Sequence, residues 1–213
     1  MEYIYRATVI KPPFFTFVAG LKQQPMDIIT KIRGHFGERH LNRVCVDRRP
    51  RASMVGFEQA LQVGVFCRVF SELEYQRLLD TLPSLFCSAS RISLLLWNKT
   101  GHSLPRAAAS PEVTCFTRRD ISWRMVPENA DVRLFVEEPF DLLFVPDDPR
   151  LFPVRYITLM SRAGFKIGPW ADLKDPLFDF MLNHHAQKDR YSFCMQMQNL
   201  LTMFTEHKPT PTR

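Results

Sequence analysis

From residue 57 onward, continuous apolar runs alternate with stretches in which apolar residues recur every three or four positions. The apolar runs predict six strands, at 61–70, 91–97, 113–116, 140–145, 165–168 and 177–182. The periodic stretches predict amphipathic helices, at 72–86, 129–138, 151–163 and 187–204. Apolar strands separated by such helices are typical of parallel sheets covered on both faces. The sequence therefore predicts a three-layer α/β fold, Rossmann-like or flavodoxin-like, with a mostly parallel sheet of about six strands.

The same pattern divides the chain into segments. It predicts a single α/β domain over residues 57–206 and a frayed tail over residues 207–213. It also predicts a helix followed by a basic connector over residues 26–56, and Gly37 is the expected end of that helix. Residues 1–25 have no sustained period and form an irregular N-terminal extension in this interpretation. The helix of the second segment has its apolar residues on one face, namely Ile28, Ile29, Ile32 and Phe36.

Three local signals refine the predicted helices. Ser71 and Glu74 have the spacing of a capping box, which would start the first helix of the domain. Pro83 is expected to kink that helix or to end it early. Gly164 is placed to cap the helix that ends near Ala163.

Positive charge is concentrated ahead of the predicted domain. The chain carries a formal net charge of +6, and residues 31–51 hold seven basic residues against two acidic ones. Residues 52–213 are close to neutral overall. The basic residues are Lys31, Arg33, Arg39, Arg43, Arg48, Arg49 and Arg51.

Cysteine usage and hydropathy indicate a cytoplasmic protein. The five cysteines are odd in number and widely spread, and none forms a C-x-x-C pair, which favours buried free thiols over disulfides or a zinc site. No apolar run approaches the roughly 18 residues of a membrane span. Lys11, Pro12 and Pro13 interrupt the apolar stretch that a signal peptide would need.

Several segments together resemble an uncharacterised bacterial protein family of unknown function. They are FDLLFVPDD, PVRYITLMSRAGFKIG, LFDFML with the closing helix, and the segment 116–123 with its charged residues before a tryptophan. The resemblance covers about residues 26–206 and is strongest over 114–182. It implies a Rossmann-like α/β fold and supplies no activity. Members of that family tend to start near Met26, so residues 1–25 are either a lineage-specific extension or an upstream misread start.

The motifs of common α/β enzymes are missing from the sequence. The turn after the first strand contains Arg68 and Ser71 where a dinucleotide fingerprint or a P-loop needs glycines. The sequence has no G-x-S-x-G elbow, no H-E-x-x-H helix, and no cysteine with an evident histidine partner. We therefore expect no cofactor, no metal and no catalytic residues, and we interpret Cys67 and Cys115 as small buried hydrophobes.

One group of residues could bind a small ligand at the carboxyl ends of the strands, where open α/β sheets hold their ligands. Arginines could clamp a phosphate or carboxylate beside an indole ring, and a carboxylate pair could hold Mg²⁺ or act in acid–base chemistry. The simpler interpretation is exposed charge around a half-buried tryptophan, with the aspartates forming a turn and a helix cap. The residues are Arg118, Arg119, Asp120, Trp123, Asp147 and Asp148.

Two functional hypotheses follow. The first is a non-catalytic binding or adaptor protein whose basic residues 31–51 contact an acidic partner, with RNA or a ribonucleoprotein as one possibility. The segment offers only Phe36 for base stacking, so a sequence-reading RNA surface is not evident, and a solvated connector is the simpler alternative. The second hypothesis is a protein or enzyme that binds a small anionic metabolite at the strand carboxyl ends.

Overall fold

A computed structural model of the chain describes residues 25–44, 60–100, 112–173, 177–183 and 190–206. Along the chain these residues form helix α1 (Pro25–Val44), strand β1 (Gln62–Val69), helix α2 (Glu72–Leu85), strand β2 (Arg91–Asn98), strand β3 (Glu112–Phe116), a 3₁₀ turn (Arg118–Asp120), helix α3 (Ala130–Glu137), strand β4 (Leu142–Phe144), helix α4 (Phe152–Met160), strand β5 (Phe165–Pro169), strand β6 (Phe180–Leu182) and helix α5 (Arg190–Glu206).

The six strands form one sheet in the order β3-β2-β1-β4-β5-β6, and all neighbours are parallel. This confirms the predicted α/β class. The order reverses direction between β1 and β4, as it does in doubly wound sheets that bind ligands at the reversal point. β1 and β2 pair along their whole lengths, so Arg68 lies beside Trp97.

The two faces of the sheet are covered by different helices. Tyr75, Leu78 and Leu82 of α2 and Phe193 of α5 pack with one face of the central strands in one apolar core. The other core contains Phe135 of α3 and residues of α4 with the opposite face. Three layers follow from this arrangement, because each strand has apolar side chains on both faces.

The start of α2 confirms the predicted capping pattern. The N–H of Glu74 donates to the Ser71 hydroxyl at 3.2 Å, and the Glu74 carboxylate accepts the N–H of Phe70 at 2.8 Å. Pro83 lies inside α2 without ending it there. The helix continues to Leu85, which lies beyond the proline and packs into the same core as Leu82.

Two predicted helix ends were wrong, and both involved glycine. α1 passes through Gly37 and ends at Val44. Gly37 is a packing residue: a Cβ there would lie 2.6 Å from the carbonyl oxygen of Arg124 and 2.8 Å from the Phe152 ring. α4 ends at Met160, so Gly164 lies in the following loop and does not cap the helix.

β4 begins two residues later than the apolar run suggested, at Leu142. The Asp141 carboxylate accepts the N–H groups of Leu61 and Gln62, both at 2.9 Å. At the start of β1 a side chain therefore replaces the backbone partner that a longer β4 would supply.

The two glycines of α1 give a matched test of its docking. Gly37→Ala should undock the helix at a cost of about 1–3 kcal/mol, because the new methyl group meets backbone and a ring. Gly34→Ala meets nothing within 4 Å and should stabilise the helix by about 0.5–1 kcal/mol. Amide hydrogen exchange of α1 should be faster in the first variant and slower in the second. Equal effects of the two substitutions would show that α1 is not packed through Gly37.

Candidate functional site

The crevice at the reversal point of the sheet is the first place to look for a ligand site. It lies beyond the carboxyl ends of β1 and β4, and its cavity has a volume of about 70 Å³. Arg68 follows the apolar part of β1, Asp147 follows β4, and Arg190 reaches the crevice from the start of α5. Trp170, which follows β5, lines the opposite wall.

A buried ion pair fills the floor of this crevice. Asp147 is 4% exposed, and its carboxylate accepts two bonds from the Arg68 guanidinium, at 2.7 and 2.8 Å. It also accepts the backbone N–H of Arg68 at 2.9 Å. Such bidentate pairing has the geometry of the strongest charge-assisted hydrogen bonds in proteins. These three bonds tie the end of β4 to the adjacent strand β1.

A second arginine extends the cluster to the outer helices. Arg190 donates to Asp147 at 3.5 Å and forms a salt bridge with Glu74 of α2. The guanidiniums of Arg68 and Arg190 lie 5.3 and 4.8 Å from the centre of the Phe70 ring. Burial acts to lower the pKa of Arg190, and the charges of Asp147 and Glu74 outweigh it, so the pKa is raised.

This arrangement occupies the position where doubly wound folds bind a phosphate. In those folds the backbone N–H groups at the first helix N-terminus face the phosphate across glycines. Here the Glu74 carboxylate accepts the N–H of Phe70, and Asp147 neutralises the neighbouring guanidiniums. The protein supplies its own anions at this point, which agrees with the missing glycine motif.

Cys67 lies next to the cluster and is fully buried. Burial raises the pKa of its thiol well above the usual value, and the negative charge of Asp147 raises it further. Both effects disfavour the reactive thiolate.

The structure distributes the six predicted ligand residues over different environments. Asp148 pairs with Arg150 at the surface, at 3.0 Å. Asp120 closes a capping box with Thr117, whose backbone N–H is the main cause of the lowered pKa of Asp120. Asp120 is therefore committed to holding the turn together.

The remaining members of that set separate in two directions. Arg118 and Arg119 are exposed on the 3₁₀ turn after β3. Trp123 is 55% exposed and contacts Phe36 of α1, with ring centres 5.2 Å apart. Trp123 thus belongs to a surface with α1, away from the Asp147 pair.

Three of the predicted basic residues have described side chains. Arg33 donates to the backbone carbonyls of Ser122 and Trp123, whereas Arg39 and Arg43 are exposed on α1. Lys31 lies within α1, and its side chain is outside the described part of the chain. Arg48, Arg49 and Arg51 lie outside the described residues.

The sequence did not identify Arg68, Arg190 or Lys99 as charged residues of the sheet edge, and it assigned Glu74 only to the capping box. Arg68 had a usable signal, because an arginine inside an apolar strand needs a buried partner. Arg190 had none, since nothing local to α5 indicates which strand end it reaches. Lys99 likewise stands in an ordinary turn in the sequence.

Among the described residues, no group of three or more histidine, cysteine, aspartate or glutamate residues is placed to hold a metal ion. None of the helices in the described ranges is both long and apolar enough to cross a membrane.

The buried pair should be the most sensitive polar contact of the sheet. Asp147→Asn leaves two guanidiniums without their shared charge and should lower the free energy of unfolding by about 3 kcal/mol, as for other broken buried pairs. The adjacent Asp148→Asn breaks only an exposed pair and should cost at most about 1 kcal/mol. Urea unfolding of both variants checks the difference, and equal midpoints would contradict it.

Comparison with known proteins identifies the family. Residues 33–204 match a family of unknown function, DUF6913, over most of the 213-residue chain. No curated protein and no solved structure matches the chain. The resemblance to an uncharacterised family is thereby confirmed. The chain belongs to the family of unknown function DUF6913.

Proposed function

We propose that the protein is a non-catalytic, cytoplasmic binding module that uses the outer face of α1 to bind an acidic protein partner. The observation that carries the proposal is a continuous exposed surface in which aromatic and aliphatic side chains adjoin arginines. We call this surface the α1 patch, and it consists of Ile32, Phe36, Arg39, Arg43 and Trp123.

Helical spacing brings the α1 patch together. Ile32, Phe36, Arg39 and Arg43 are separated by four, three and four positions, so they share one side of the helix. Ile32 is 45% exposed and Phe36 is 44% exposed, and Phe36 contacts the exposed Trp123 ring. Clustered exposed apolar side chains of this kind mark interaction surfaces more often than single ones do.

The opposite side of α1 fixes the patch on the domain. Leu41 is 1% exposed and packs with Val126 and Phe152 in a small separate core. Glu38 forms a salt bridge with Arg155 of α4. The helix therefore presents the patch from a fixed position, which reduces the entropy lost on binding.

The composition of the patch favours a protein over RNA. Ile32 offers no ring for base stacking, and an aliphatic side chain gains most from burial against another apolar group. Arg39 and Arg43 at the C-terminal end of the patch suit carboxylates beside that apolar contact. We extend the proposal along the chain to Lys31, Arg48, Arg49 and Arg51 as further contacts with the same acidic partner.

The family resemblance supports two further proposals. The strand order supports a relationship with Rossmann-like folds that have lost the phosphate-binding glycines. We also propose that the family is bacterial, as the resemblance implied.

Captured partners should depend on both parts of the α1 patch. Immobilised wild-type protein is compared with Phe36→Ser and Arg39→Glu by quantitative mass spectrometry of proteins retained from lysate. Each variant should weaken retention of the same partner at least tenfold, the equivalent of about 1.4 kcal/mol. Retention should also fall with rising salt, because charged contacts are screened.

Matched surface variants control this experiment. Leu134→Ser and Arg133→Glu change an exposed apolar residue and an exposed cation on α3 and should retain the partner fully. Loss of capture after nuclease treatment would identify RNA as the occupant and refute a protein partner. Equal loss in the α3 and α1 variants would refute the role of the α1 patch.

A further inference from the structure

Two cations lie at the carboxyl edge of the sheet beyond the Asp147 pair. Lys99 follows β2, and Arg118 follows β3 after Thr117. No carboxylate among the described residues forms a salt bridge with Lys99 or Arg118. Arg68 on β1 completes a row of three cations, for which Asp147 supplies one negative charge.

Sheet register places these side chains next to one another. Arg68 pairs laterally with Trp97, and Trp97 pairs with Phe116 of β3. Neighbouring strands lie about 4.8 Å apart, so the residues that follow these positions leave the sheet side by side. The N–H of Lys99 donates to the carbonyl of Val69 at 2.8 Å, which holds Lys99 against the end of β1.

The positive charges of Arg68 and Arg118 act on Lys99. Partial burial is the main cause of the lowered pKa of Lys99, and the positive charges of Arg68 and Arg118 lower it further. Mutual repulsion of this kind is relieved when an anion binds between the groups.

Trp97 lies beside Arg68 in the sheet and next to Lys99. The residue is 6% exposed, its ring stacks on Phe116 with ring centres 6.0 Å apart, and the Lys99 ammonium lies 4.1 Å from its ring centre. Its indole N–H is buried and finds no acceptor among the described residues. A buried donor without a partner is destabilising, so the site stands to gain from an acceptor.

We propose that Lys99, Arg118 and Arg68 bind a phosphate group at the ends of β1, β2 and β3, and that the indole N–H of Trp97 donates to it. The three cations carry three positive charges, and Asp147 supplies one negative charge. A phosphate group with two negative charges balances the remaining two, which a carboxylate with one charge would not. Its outer members, Lys99 and Arg118, follow β2 and β3, and Arg68 connects the site to the Asp147 pair. It is also separate from the α1 patch and does not rest on the proposed protein partner.

The three tryptophans of the chain allow a site-specific test. In ¹⁵N-labelled protein each indole N–H gives one nuclear magnetic resonance signal, and Trp97→Phe assigns the signal of Trp97. Titration with inorganic phosphate, at ionic strength held constant with chloride, should shift the Trp97 signal saturably. The signals of Trp123 and Trp170 should stay in place and serve as internal controls.

Variants separate a built site from general attraction to a basic surface. Lys99→Gln and Arg118→Gln should each weaken phosphate binding at least tenfold, whereas Arg133→Gln on α3 should leave it unchanged. These substitutions are at exposed positions, so the fold should persist in all three variants. Unchanged Trp123 and Trp170 signals of each variant without phosphate verify this.

Three results would overturn the proposal. One is a Trp97 signal that does not respond to phosphate, since the buried donor would then be satisfied by water alone. Another is equal binding by Lys99→Gln and wild-type protein. The third is acetate that binds as tightly as phosphate, because a single negative charge would then suffice.

Discussion

The contact between Asp147 and Arg68 decides what the sheet of this protein can do. It joins the ends of the two strands between which the strand order reverses, and Arg190 connects the same carboxylate to α5. Buried ion pairs contribute little net stability against apolar replacements, because both charges lose their hydration. What this pair determines is the content of the crevice: the space that parallel sheets normally leave for a ligand holds a carboxylate and two guanidiniums.

The ordinary ligand position of the crevice is therefore filled by charges of the protein itself. Glu74 and Asp147 form salt bridges with the cations nearest the reversal point. An incoming diphosphate would therefore compete with two carboxylates of the protein itself. One strand further out, Lys99 and Arg118 have no such carboxylates among the described residues. The α1 patch is a different surface from this edge, and it combines arginines with the exposed rings of Phe36 and Trp123. Both proposed interactions therefore lie outside the usual site of the fold.

The parts of the structure that sequence could predict are those set by local pattern. Apolar runs and helical periodicity sufficed for the parallel sheet, and the spacing of Ser71 and Glu74 sufficed for the start of α2. Gly37 shows the limit: a glycine that ends a helix and one that lets a ring approach look the same in sequence, and only the position of Phe152 distinguishes them. The crevice could be predicted even less well, because its contacts join residues that are far apart in the sequence. Nothing near Arg190 indicates that it reaches Asp147, 43 positions earlier.

The segment 117–127 links the two surfaces, because it contains both Arg118 and Trp123. It is held by its own hydrogen bonds: the Thr117 and Asp120 capping box closes one end, and the N–H of Ser122 donates to the carbonyl of Val126 at the other. Allosteric coupling needs an element with two arrangements of similar free energy. A segment bonded internally at both ends favours one arrangement. It therefore fixes the distance between Trp123 and Arg118, and we expect the two proposed sites to bind independently of each other.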